Sequence, residues 1–70
     1  MINYIWTFIN CELIRVNVYG QEHYYNQDSI NIALHTVKTT PELYVSEKEW
    51  LANIEFFEAG VQVFIDNCPI

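Results

Sequence analysis

Residues 46–60, SEKEWLANIEFFEAG, decide how this chain folds. Ser46 and Glu49 have the spacing of a capping box, in which each side chain satisfies an unpaired amide at the start of a helix. Glu47 and Glu49 add negative charge at the positive end of the helix dipole. At 100° per residue, Trp50, Leu51, Ile54 and Phe57 gather on one stripe, which is the side expected to pack on a neighbouring layer. Gly60 is a natural stop. The spacing therefore predicts a helix from Glu47 to about Ala59. On the same wheel Phe56 falls almost opposite the stripe, among Glu49, Ala52 and Asn53, and is expected to be exposed.

The segments before this helix supply the layer it packs on. From Asn3 to Ile9, Tyr4, Trp6 and Phe8 share one face and Ile5, Thr7 and Ile9 the other, a pattern suited to a central strand buried on both sides. Asn10 and Cys11 form the expected turn. Ile14, Val16 and Val18 then alternate with Leu13, Arg15, Asn17 and Tyr19, so one face should bury and the other stay wet. Gly20 and Gln21 suit a two-residue hairpin turn, which makes Glu22 to Tyr25 a short edge strand. Asp28 or Ser29 can cap a helix over Ser29 to Lys38, with Ile30, Ala33, Leu34 and Val37 at helical offsets; Ile30, Ile32 and Leu34 also alternate, which leaves a strand open there. Pro41 ends the segment in either case, and Leu43 to Val45 should be an extended connection.

Beyond Gly60, Val61, Val63 and Ile65 alternate with Gln62, Phe64 and Asp66, the pattern of a closing strand, with Asn67 to Ile70 as tail. The expectation is one compact α+β domain over residues 1–70. Its small antiparallel sheet, an N-terminal hairpin or meander plus a C-terminal strand, carries two helices packed on one face.

Composition narrows the function. Of 70 residues, 51% are hydrophobic and 16% aromatic, which describes a folded chain. Nine Asp and Glu stand against three Lys and Arg, giving a net charge of −6. Phosphate backbones are bound through Lys and Arg that displace counterions, and Arg15, Lys38 and Lys48 are too few for that, so direct nucleic-acid binding is not expected. A basic protein partner is. A domain of this size sits near the limit at which one core offsets chain entropy, so an obligate partner or a homodimer fits the length. No apolar run approaches the roughly 20 residues of a membrane span. Met1 to Ile9 lacks the basic region and cleavage site of a secretory signal, so the chain is expected in the cytoplasm.

Catalysis is not expected, and neither is a cofactor or a metal. Cys11 and Cys68 lie near opposite ends and read as free, small apolar residues, with a disulfide as the alternative. His23 and His35 do not complete a ligand set with them. The isolated glycines, Gly20 and Gly60, exclude a phosphate-binding loop.

Binding has more to work with. Glu42, Glu47, Glu49, Glu55 and Glu58 concentrate negative charge on the second helix and its approach, with Lys48 as the single basic residue among them. Such a field steers basic partners. Phe56, a large aromatic among carboxylates, reads as the apolar anchor of an interface, with Glu47, Glu49, Glu55 and Glu58 supplying the charge, and Ile32 is a second outward apolar residue. Tyr24 and Tyr25, with Tyr19, Glu22 and His23 beside them, make a second candidate patch. The expected function is that of a small acidic inhibitor or decoy. It would occlude a basic, nucleic-acid-binding site on a partner, as phage proteins that block restriction or CRISPR defence and immunity proteins of nuclease toxins do by class. The alternative is a homodimeric structural or adaptor module.

Overall fold

A computed structural model describes residues 3–69. Three strands come first, β1 (Tyr4–Asn10), β2 (Leu13–Val18) and β3 (Gln21–Tyr25), joined as an antiparallel meander in the order β1-β2-β3. Two helices follow, α1 (Gln27–Thr39) and α2 (Glu47–Asn67), with a short 3-10 turn at Pro41–Leu43 between them. This is the α+β class that the sequence predicts, and the meander is its N-terminal part.

The register shows which residues share a face. Trp6 lies opposite Val16, which lies opposite His23; Phe8 lies opposite Ile14, which lies opposite Tyr25. Ile14 and Val16 on this inner face are wholly buried. The other face carries Ile5, Asn17 and Glu22 in one row and Thr7, Arg15 and Tyr24 in the next, and no helix covers it: Ile5 and Tyr24 are exposed. Both turns fall one residue away from their expected places. Cys11 and Glu12 link β1 to β2, with the Asn10 side chain accepting the Glu12 amide at 2.7 Å. Tyr19 and Gly20 link β2 to β3, and both have positive φ, 51° and 85°, the conformation of a type I′ hairpin turn.

Asn26 starts α1 rather than Asp28 or Ser29. Its side chain accepts the Ser29 amide, and Ser29 Oγ returns the bond by accepting the Asn26 amide, a complete capping box. α1 is a helix throughout, so the strand alternative there is excluded. Ser46 caps α2 by accepting the Glu49 amide at 3.2 Å, which is the Ser46 half of the expected capping box. The helices are tied together where the indole Nε1–H of Trp50 donates to the carbonyl of Val37 at 2.7 Å. Ile14, Ile30 and Phe64 form the centre of the core, and Trp6, Phe8, Tyr25, Phe57, Val61 and Val63 pack around it.

Four expectations need correction. First, no C-terminal strand is present among the described residues: α2 runs through Gly60 to Asn67. Val61, Val63 and Ile65 alternate, but Phe57, Val61, Phe64 and Cys68 also recur at helical spacing, and burial of Phe64 in the core favours the helix. Second, residues 67–69 are not a free tail, because Cys68 caps α2 and is disulfide-bonded to Cys11, with Cα atoms 5.6 Å apart. Ile70 lies outside the described residues. Third, the two cysteines are therefore paired, joining the β1–β2 turn to the end of α2, and the Gln27 side chain reinforces the junction by donating to the Cys11 carbonyl at 2.9 Å. Fourth, β1 is an edge strand with one neighbour, not a central one.

Candidate functional site

The continuation of α2 past Gly60 sets its orientation. Phe56, Gly60 and Phe64 recur every four residues and are the buried positions of the helix, so the face toward the core is centred on them. Relative to the stripe read from Trp50, Leu51, Ile54 and Phe57, this is a rotation of roughly a quarter turn. Its consequence falls on Phe56, the expected exposed anchor. The ring is only 7% accessible and lies 4.8 Å from Tyr4, 5.2 Å from Trp6 and 4.9 Å from Phe57, centroid to centroid. Phe56 is a core residue, not an exposed one.

The rotation also brings two apolar residues out. Leu51, expected in the buried stripe, is 47% exposed, and Ile65, expected in a strand, is 63% exposed. On the helical wheel both fall on the arc that carries Glu47, Glu55, Glu58 and Asp66. All four of those carboxylates are exposed. Gln62 lies between them and donates to Asp66 at 2.7 Å. The outer arc of α2 is thus a strip about 28 Å long, at 1.5 Å per residue, of carboxylates around two aliphatic side chains, with the exposed Lys48 at its edge as the one basic residue of the helix. A shallow hollow of about 450 Å³ opens on it, lined by Glu47, Lys48, Leu51, Ala52 and Glu55. Glu49 is exposed but sits on the flank nearest Phe56, so it does not join the strip.

The tyrosine patch is divided by the sheet. Tyr24 points to the open outer face, where its hydroxyl lies 3.4 Å from the Glu22 carboxylate. Tyr25 points inward and packs on Trp6 and Phe57 at 5.9 and 6.1 Å. Adjacent strand residues take opposite faces, so the two side chains cannot form one surface. Ile32 is outward on α1, as expected, at 66% exposure.

A second concavity, of about 440 Å³, lies where α1 leaves the hairpin end of the inner sheet face uncovered; its walls include Val18, Gln21, His23, Tyr25, Asn53 and Phe56. Gln21, His23 and Asn53 are among its polar groups. His23 is exposed, as the sequence reading placed it, and lies opposite Val16 on the inner-face register; the half-buried Asn53 was given no role. Both thiols are held in the disulfide, so neither serves as a nucleophile while the bond is intact. Among the described residues no cluster of three or more His, Cys, Asp or Glu side chains could hold a metal ion, and no helix is long and apolar enough to cross a membrane.

The chain matches no family model, no curated protein and no solved structure.

Proposed function

We propose that this chain is a small acidic inhibitor that covers a basic site on a partner protein, a site that otherwise takes nucleic acid. One observation carries the reading: the outer arc of α2, on which Glu47, Glu55, Glu58 and Asp66 surround the exposed Leu51 and Ile65. Carboxylates on a preformed helix approach a basic surface without ordering a flexible segment, which lowers the entropic cost of binding. Attraction between opposite charges speeds encounter, and Leu51 and Ile65 take over the apolar contact first assigned to Phe56. The resemblance to anti-restriction, anti-CRISPR and nuclease-immunity proteins is one of class.

The cytoplasmic placement expected from the sequence belongs to this proposal in a specific form. Disulfides persist in oxidising compartments and are opened by cellular dithiols in the cytosol, so a cytoplasmic target would meet the reduced protein.

The test combines capture, competition and charge reversal. Immobilised protein should retain a basic nucleic-acid-binding protein at low salt and lose it as salt is raised, because steering is screened over about 8 Å at physiological ionic strength. Added DNA or RNA should displace that partner. The Glu47→Lys/Glu55→Lys/Glu58→Lys variant should keep its circular dichroism spectrum and lose affinity by about tenfold or more. A partner held equally by this variant, or undisturbed by nucleic acid, would sink the proposal.

A further inference from the structure

We infer that β1 is a self-association strand, through which two copies of this chain join their three-stranded sheets into one of six. Three observations converge on it. β1 has a sheet neighbour on one side only, so alternate N–H and C=O groups along its other side face outward, ready to pair with another strand.

Its sequence is that of a central strand. The inner residues Trp6 and Phe8 pack against the core, yet the outer residues Ile5 and Ile9 are apolar as well, and they are 68% and 41% exposed. Natural edge strands are guarded by charge, proline or brevity. β1 has seven residues, YIWTFIN, with neither charge nor proline; its irregularity is confined to the hairpin end between Phe8 and Asn10. The other edge, β3, is shorter and carries Glu22 and His23.

Charge selects the occupant. Each copy carries −6, so most approaches between two copies set acid against acid. β1 is the one element of the fold without an Asp, Glu, Lys, Arg or His. A second copy therefore meets the least repulsion there, and an antiparallel pairing about a two-fold axis makes the strand its own complement. The joined sheet brings the exposed isoleucines of both copies together on its outer face, while both helical layers stay on the inner face.

Sedimentation equilibrium from micromolar to millimolar concentration tests this, with amide hydrogen exchange read across the same range. The wild type should show a species of twice 8.3 kDa that tightens as salt is raised, because screening relieves the repulsion between like-charged copies. This is the opposite of the salt response expected for a basic partner, so the two readings fail separately. Amides of β1 should become protected as the dimer forms. The Ile5→Glu/Ile9→Glu variant, altered at exposed positions, should weaken the dimer by about tenfold or more through like charges on paired strands. A monomer at millimolar concentration would overturn the inference and leave the edge open to a foreign extended segment. A dimer indifferent to the variant, or β1 amides whose exchange ignores concentration, would overturn it too, and the exchange measurement on the wild type does not depend on how well the variant folds.

Discussion

Gly60 sits where the main chain of α2 lies close against Trp6 of the sheet. A Cβ at this position would lie 2.7 and 2.8 Å from two ring atoms of Trp6 and 3.0 Å from Ile30 Cδ1, inside normal contact. Gly60→Ala should therefore destabilise the fold by about 1–3 kcal/mol through overpacking, although alanine is the better helix former. In a Trp6→Phe background the two clashing ring atoms are gone, and the same substitution should cost much less. Urea denaturation of the four proteins gives the coupling directly, and a coupling near zero would mean that the helix does not rest on this ring. Trp6 itself keeps a buried indole N–H without a hydrogen-bond partner, so its conservative replacement also removes an unsatisfied donor. The sequence offers Gly60 only as a helix stop, because a close approach depends on Trp6, far away in the chain. Phe56 is misread for the same reason: its position on a wheel drawn to Ala59 is correct, but Tyr4 and Trp6 decide which side of the wheel is inside.

At the scale of elements, legibility follows the strength of local chemistry. The first two strands and the start of α2 were readable because alternation and capping are local signals, whereas the cap of α1 was placed two or three residues late. Replacing Asn26 by Ala should cost about 1 kcal/mol, since it removes the acceptor for the Ser29 amide. Replacing Asp28, the other residue considered for that role, should cost less, and a thermal melt of each variant ranks them. The end of α2 was not readable in this way. Val61, Val63 and Ile65 satisfy a period of two while Phe57, Val61, Phe64 and Cys68 satisfy 3.6, and only burial separates the two patterns. Extending the helix moved its solvent arc, which is why Glu47, Glu55 and Glu58 kept their place in the candidate site while Leu51 and Ile65 entered it and Phe56 left. β1 has the composition of a central strand and occupies an edge, and that mismatch between pattern and topology was visible only once the strand order was known.

For the whole molecule, composition foretold the acidic surface and the single small core. It did not foretell the covalent closure, because the spacing of Cys11 and Cys68 carries no local signal and only the fold brings them together. Across a sequence separation of 57 residues, loop-closure entropy makes such a bond worth about 4 kcal/mol. The Cys11→Ser/Cys68→Ser protein should unfold at correspondingly lower denaturant, and dithiothreitol should bring the wild type to the same midpoint while leaving the variant unchanged. Equal midpoints with and without the reductant would show that the bond contributes nothing.

The same closure changes what a protease can do. The segment between the helices exposes Leu43 and Val45, and it lies inside the loop that Cys11 and Cys68 close. A cut there divides the backbone into a meander-plus-α1 fragment and an α2 fragment, yet the two remain one covalent body, still joined from the tip of the β1–β2 hairpin to the last turn of α2. Cleavage at this exposed stretch is thereby made silent for as long as the sulfurs stay oxidised.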